Sequence, residues 1–199
     1  MQFINERLNG EDGLGGIFPA MANTLMAFNA LGINRNDPRV ITARKALDKL
    51  LVFENNEAYC QPCLSPVWDT GLAVHAMLEA NLSSGPRILE NDSTSKACKW
   101  LESLQIKDCV GDWAVWRPNL RPGGWAFQYH NDYYPDIDDT AVVAMALHRT
   151  GNKIYEPALL RAAEWIIGMQ SKSGGWAAFD ADNEYYLLEN MPFADHGAL

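Results

Sequence analysis

Tyr133-Tyr134-Pro135-Asp136-Ile137-Asp138-Asp139-Thr140 decides the reading of this chain. Three carboxylates fall within four residues, after an aromatic-rich loop and before the apolar run Ala141 to Leu147. Ionised aspartates this close repel one another, and a dry setting adds a desolvation cost. At least one carboxyl is then expected to keep its proton near neutral pH. A neutral Asp aimed into a dry pocket is a Brønsted acid. The plainer reading makes Asp138 or Asp139 a helix N-cap, with Thr140 in the first turn and the acids favoured by the helix dipole. One cap needs one Asp, so two carboxylates are left over for other work.

Around this stretch lies a chain of 199 residues, 48% hydrophobic, with a net charge of -9. The apolar content is enough for a packed core. The acidity excludes a nucleic-acid partner, because no basic patch is available to release counterions. Cys60-Gln61-Pro62-Cys63 has the spacing of half a zinc site. Cys98 and Cys109 do not complete it, and no His stands at ligand spacing, so a structural metal is not expected. With no signal peptide legible at the N-terminus, reduced thiols and a cytoplasmic compartment are expected.

Helix signals recur along the chain. Met1 to Gly16 reads as a loop. Phe18 to Leu31 reads as an apolar helix stopped by Gly32. Asp37-Pro38 opens another, with Asp at the cap and Pro at the first helical position. Residues 53 to 66 are polar and broken by Pro62 and Pro66, the best boundary between two structural units. Further helices are expected from Asp69-Thr70 to Ala80, from Ser95 to Gln105, from Asp139 to Arg149 and from Glu156-Pro157 to Gln170. Ser83-Ser84-Gly85-Pro86 breaks the chain between two of them. Residues 106 to 137 form a long loop of a length that usually carries function. No segment shows sustained strand alternation. Gly13 to Asn34 carries no charged residue. It reads either as a buried helix or as a helix dipping into one membrane leaflet.

Internal repeats are the second signal. Lys96-Ala97-Cys98-Lys99-Trp100-Leu101-Glu102-Ser103-Leu104-Gln105 followed by Gly111-Asp112-Trp113 is echoed by Arg161-Ala162-Ala163-Glu164-Trp165-Ile166-Ile167-Gly168-Met169-Gln170 followed by Gly174-Gly175-Trp176. Asp69-Thr70-Gly71-Leu72-Ala73 is likewise echoed by Asp139-Thr140-Ala141-Val142-Val143. Two alternating helix types with such periods predict an all-α fold of stacked helical hairpins. Two hairpins do not close a ring, so an α/α barrel (toroid) would be incomplete here. The Gln is expected to bond orphan backbone groups at a helix end, and the Trp to pack flat on the adjacent turn.

These repeats resemble the QW repeats of triterpene cyclases. Asp136-Ile137-Asp138-Asp139-Thr140 resembles the Asp-x-Asp-Asp-Thr acid motif of their bacterial branch, the squalene–hopene cyclases. Ser65-Pro66-Val67-Trp68-Asp69-Thr70, Gly111-Asp112-Trp113-Ala114-Val115, Arg117-Pro118-Asn119-Leu120 and Gly123-Gly124-Trp125-Ala126-Phe127-Gln128 agree with the same family. The resemblance implies a class II terpene cyclase, an isomerase of the intramolecular-transferase kind. It protonates the terminal alkene of squalene and makes pentacyclic hopanoids (hopene or hopanol), with no cofactor and no metal. It implies Asp138 as proton donor, tuned by Asp136 and Asp139, and Trp68, Phe127 and Phe179 as aromatic walls for the carbocation. Each aromatic taken alone could equally be core packing. The family commonly has Tyr where Phe179 stands, so any role of that hydroxyl is lost here.

The resemblance further implies two α-barrel domains, with residues 1–64 ending a membrane-proximal one and 65–199 beginning the catalytic one. It implies a monotopic attachment to the cytoplasmic face of the cell membrane, leaflet contact through Gly13 to Asn34, and a homodimer. Two departures stand out. An early Gly-Gly-Trp turn is replaced by Asn56-Glu57-Ala58-Tyr59-Cys60-Gln61. The His partner of the acid has no match in His130, His148 or His196. The chain therefore reads as an internal fragment, not expected to turn over alone. Two other classes fit the residues themselves. One is an α/α-barrel carbohydrate hydrolase using paired carboxylates, whose acids should be well separated rather than adjacent. The other is a metal-binding or non-catalytic helical module that holds Ca²⁺ or Mg²⁺ on Asp-x-Asp-Asp.

Overall fold

The computed structural model describes residues 1–82 and 93–182. The expected break at Ser83 to Pro86 and the end of the chain at His196 to Leu199 lie outside the described residues. The chain is mostly helical, as its pattern predicts, and divides into two compact units. One comprises residues 1–66 together with 127–131, and the other residues 67–126 and 132–199.

In the first unit, α1 (Gln2–Glu6) and two short 3-10 turns occupy the stretch read as loop. They precede α2 (Phe18–Ala30) and α3 (Pro38–Asp48). Asp37 caps α3 by accepting the Arg39 N–H at 2.9 Å, and Pro38 takes the first turn, where its missing N–H costs nothing. Phe28 of α2 packs with Val40 and Ala43 of α3, and Met21 with Ala46 and Leu50. The uncharged helix is not wholly buried. Phe18, Met26 and Leu31 are 40%, 68% and 59% exposed. Among the described residues no helix is long and apolar enough to cross a membrane.

A correction concerns the polar boundary stretch. Residues 51–60 form a β-hairpin, β1 (Leu51–Glu54) pairing antiparallel with β2 (Glu57–Cys60). Asn55 and Asn56 take φ of 49° and 67°, which lets a two-residue turn match the twist of its strands. Asn tolerates this left-handed region better than most residues do. The strands are four residues long and mostly exposed. A short, solvated pair leaves no alternation to read.

The second unit holds α4 (Pro66–Leu82), α5 (Ser93–Ser103), α6 (Ile137–Arg149) and α7 (Glu156–Gly168). Val67, Val74, Leu101, Trp125, Val143, Leu147 and Ala162 form its main core. Helices α4 and α6 run side by side in the same direction. Near their starts, a Cβ on Gly71 would lie 3.0 Å from Val142 Cγ1. One turn on, His75 Nε2 donates to the Val142 carbonyl at 3.0 Å, while its Nδ1 accepts from Arg149. The Arg149 guanidinium then reaches Glu79. The echoed Asp-Thr pairs thus open two parallel neighbours at one end.

The repeat residues act as scaffold, though not in the expected division of labour. Gln105 donates to the carbonyls of Gly123 and Ala158, both at 2.9 Å, tying α5 to a loop and to α7. The indole N–H of Trp176 satisfies the Ile166 carbonyl in the last turn of α7 at 2.7 Å, so the Trp rather than the Gln does the capping there. Trp113 packs against the turn glycine, where a Cβ on Gly111 would lie 2.8 Å from its indole Cδ1. It meets Trp165 edge-on, with centroids 5.9 Å apart at 86°.

Candidate active site

The acid motif straddles the start of α6, and its geometry follows from one strand-like contact. Trp125 is fully buried and anchored by its indole N–H on the Leu101 carbonyl. Its backbone pairs with Asp136, whose N–H donates to the Trp125 carbonyl at 3.0 Å. Thr140 closes the arrangement. Its hydroxyl accepts the Trp125 N–H at 2.9 Å and donates to the Asp136 carbonyl at 2.5 Å. A Cβ on Gly124 would lie 2.9 Å from the Thr140 Oγ1, so the close approach requires glycine.

This pairing puts Asp136, not Asp138 or Asp139, at the N-cap. Its backbone is extended and its Oδ1 accepts the Asp139 N–H at 2.7 Å. Asp138 and Asp139 occupy the first helical turn. Asp136 and Asp139 are buried, at 3% and 5% exposure, while Asp138 is exposed. Asp136 Oδ2 and Asp139 Oδ1 are buried with no hydrogen-bond partner among the described residues. A bare carboxylate oxygen in such a place is costly, which favours the protonated form. Burial first, then the charge of Asp139, pushes Asp136 up to about 8. Burial likewise pushes Asp139 up to about 6, against the lowering hydrogen bond from Asp136, with the charges of Asp138 and Asp69 adding to the rise. The three aspartates therefore make one exposed carboxyl backed by two buried ones that both bind a proton more tightly than an ordinary carboxylate.

Of the predicted aromatics, Trp68 lies half-buried in the first turn of α4, at the end where α6 also begins. Phe179 is 45% exposed and follows Ala178, whose carbonyl accepts the N–H of Ile137, the residue before Asp138, at 2.9 Å. Phe127 falls in the first unit, where its Cζ would lie 3.0 Å from a Cβ on Gly16. Trp68 and Phe179 thus join the acids at one end of the α4–α6 pair. Sequence reasoning missed Asp69 as a member of the charge cluster, although its echo of Asp139 was the signal that could have found it. It also missed Trp125 and Thr140 as the pair that sets the cap.

Among the described residues, no group of three or more His, Cys, Asp and Glu side chains is arranged to hold a metal ion. A mostly apolar groove of about 650 Å³ lies farther along α6 and α7, lined by Ala144, Met145, Leu159 and Ile166 among others. None of the acids lines it.

Comparison with known proteins agrees with the motif reading. The family model for the squalene-hopene cyclase C-terminal domain matches residues 64–199, and that for the N-terminal domain matches residues 1–56. A squalene-hopene cyclase of Schizosaccharomyces japonicus is 56% identical over 203 residues, covering 100% of this chain. One of Zymomonas mobilis is 54% identical over 210 residues, again covering 100% of the chain. One of Alicyclobacillus acidocaldarius is 41% identical over 201 residues, covering 99%. The chain spans 31% of the length of each of these relatives. None of them supports the carbohydrate-hydrolase or metal-module alternatives. With both family models matched in order and whole-chain identity above half to two relatives, the chain belongs to the squalene–hopene cyclase family.

Proposed function

We propose that this chain supplies the acid centre of a class II terpene cyclase that acts on squalene, a substrate named for its relatives. The observation that carries the reading is the acid triplet: the exposed Asp138 backed by the buried carboxyls of Asp136 and Asp139, each with an oxygen that has no hydrogen-bond partner among the described residues. Asp138 is the member open to an incoming ligand, and it is the proton donor. Its O–H bond breaks as the π pair of the terminal alkene forms a C–H bond, leaving a carboxylate and a tertiary carbocation. Asp136 and Asp139 limit the charge around that new carboxylate and hold it in place. The cation passes along the folded polyene as ring bonds form, and loss of a proton or capture of water ends the sequence in a pentacyclic hopanoid. Trp68, Phe127 and Phe179 are the aromatic faces for the moving charge, each worth about 2 kcal/mol in a dry site.

Residues 65–199 belong to the catalytic domain in this reading, and residues 1–64 to a membrane-proximal one. The exposed apolar side chains of α2 and its C-cap, Phe18, Met26 and Leu31, support contact with one leaflet. A monotopic attachment on the cytoplasmic face and a homodimer complete the proposal.

The test is an assay of the complete gene product with squalene and EDTA, beside Asp138→Asn, with lipids analysed by gas chromatography–mass spectrometry. Pentacyclic product from the parent and none from the variant supports the reading. Unchanged squalene in both overturns squalene as the substrate. Activity lost to EDTA and regained with Mg²⁺ overturns protonation by a carboxyl alone.

A further inference from the structure

The segment after α7 folds back to the acid site, and its two ends meet on one side chain. Arg117 Nε donates to the Gly168 carbonyl and Nη2 to the Gln170 carbonyl, both at 2.7 Å. Nη2 also donates to Asp182 Oδ2 at 3.0 Å, and Nη1 to the Trp116 carbonyl at 3.0 Å. Gly168 and Gln170 are at the carboxyl end of α7, where carbonyls lack helical partners and a cation is favoured. Asp182 is at the far end of the segment. Its φ of 54° is a left-handed conformation that an aspartate holds only when its surroundings fix it. Asp182 Oδ1 accepts the Lys172 N–H at 2.8 Å, its own N–H donates to Ser171 Oγ at 3.2 Å, and its side chain is 9% exposed.

Between these pins lie Ala178 and Phe179. The Ala178 carbonyl holds the N–H of Ile137 in the first turn of α6. Phe179 is 45% exposed, so its ring depends on the position of its backbone more than a core side chain does. One guanidinium therefore ties the exit of α7, the end of the 170–182 loop and, through that loop, the residue that precedes Asp138.

We infer that Arg117 is a positioning residue for the acid site, closing the 170–182 loop through Gln170 and Asp182 so that the Phe179 ring stays beside the acid motif. The inference rests on the cyclase reading above. A lysine keeps the charge at this position but lacks the fork that reaches three carbonyls and a carboxylate at once. Small displacements of a positioning group cost rate steeply.

The experiment compares parent, Arg117→Lys, Asp182→Asn and Phe179→Leu as complete gene products incubated with squalene. Both the rate and the ratio of partly to fully cyclised products are read. A destabilised protein yields less product in the parental ratio. A displaced Phe179 changes the ratio itself. The expected result is a rate loss of roughly 10- to 100-fold in Arg117→Lys, with the ratio shifted towards partly cyclised products as in Phe179→Leu. Asp182→Asn keeps an oxygen for the Lys172 N–H and its left-handed backbone. It should shift the ratio the same way by a smaller factor, and it carries the test if Arg117→Lys does not fold. Parental product ratios in whichever of the two variants folds overturn the inference and leave the cyclase reading intact. No cyclised product from the parent overturns the cyclase reading and the inference with it.

Discussion

Asp136 accepts the backbone N–H of Asp139 at 2.7 Å, so the residue that caps α6 is also the most buried acid of the three. Cap and acid are separable by substitution. Asp136→Asn keeps an oxygen for the Asp139 N–H but has no proton to share. Asp136→Ala loses both. The alanine variant should be less stable than the asparagine variant by about 1 kcal/mol, the usual worth of an N-cap. Both should lose cyclisation. Denaturant melts of the two side by side check the first expectation and product analysis checks the second. Full activity in Asp136→Asn would mean that Asp136 only caps.

Stability should fall as pH rises across the neutral range. Burial holds Asp136 at about 8 and Asp139 at about 6 in the folded chain, against an ordinary value of 3.8. Between those values the folded chain binds more protons than the unfolded one. The stabilising contribution is complete below about pH 4 and is lost as pH climbs towards the folded values. Each extra bound proton gives a slope of about 1.4 kcal/mol per pH unit. Unfolding followed at pH 5.5 and pH 8 should show the higher midpoint at the lower pH, and Asp136→Asn should remove most of the difference. The rate of cyclisation should drop over the same window, because ionised Asp136 and Asp139 put negative charge beside the carboxylate that Asp138 becomes on giving up its proton. A midpoint that rises with pH would mean that the pair is ionised in the folded chain.

Much of this was legible in sequence, for reasons that can be named. The Asp37-Pro38 start of α3 is set by a side-chain oxygen and a fixed φ, the Glu156-Pro157 start of α7 by a fixed φ alone, and both elements begin there. The acid cluster was legible because three adjacent charges conflict wherever they sit. Which aspartate caps was not legible. That depends on Trp125, 11 residues upstream of Asp136, reaching back to pair with it. The part of Asp69 depends on α4 lying parallel to α6, a tertiary fact that the Asp-Thr echo hinted at without stating.

Thr140 is the hinge pin of the cap, and its hydroxyl cannot be replaced by bulk. Thr140→Val keeps the shape. It leaves the Trp125 N–H without its partner and removes the donor to the Asp136 carbonyl, both in a fully buried place. A buried polar group left unpaired costs about 1–3 kcal/mol, so the variant should lose at least that much. Thr140→Ser should recover most of it. Equal stability of the serine and valine variants would show that the methyl packing, not the hydroxyl, holds the motif.

The hairpin offers the opposite kind of test, a change that should stabilise. Asn55 and Asn56 both hold positive φ between strands β1 and β2. Two-residue turns of this shape favour Asn followed by Gly, because Gly meets no Cβ clash in the left-handed region. Asn56 sits at φ 67°, so Asn56→Gly relieves strain at the second position. Against that gain stands the larger entropy that glycine gives the unfolded chain. The clash is the larger effect at a left-handed position, where a non-glycine residue costs about 1–2 kcal/mol, reduced in part by asparagine's own tolerance. The expected outcome is a rise of up to about 1 kcal/mol in the stability of the first unit, read by amide exchange across residues 51–60. Asn55→Gly tests the other position and should gain less, because Asn is the favoured residue there. A loss of protection in Asn56→Gly would mean that the asparagine side chain, rather than the backbone alone, holds the turn.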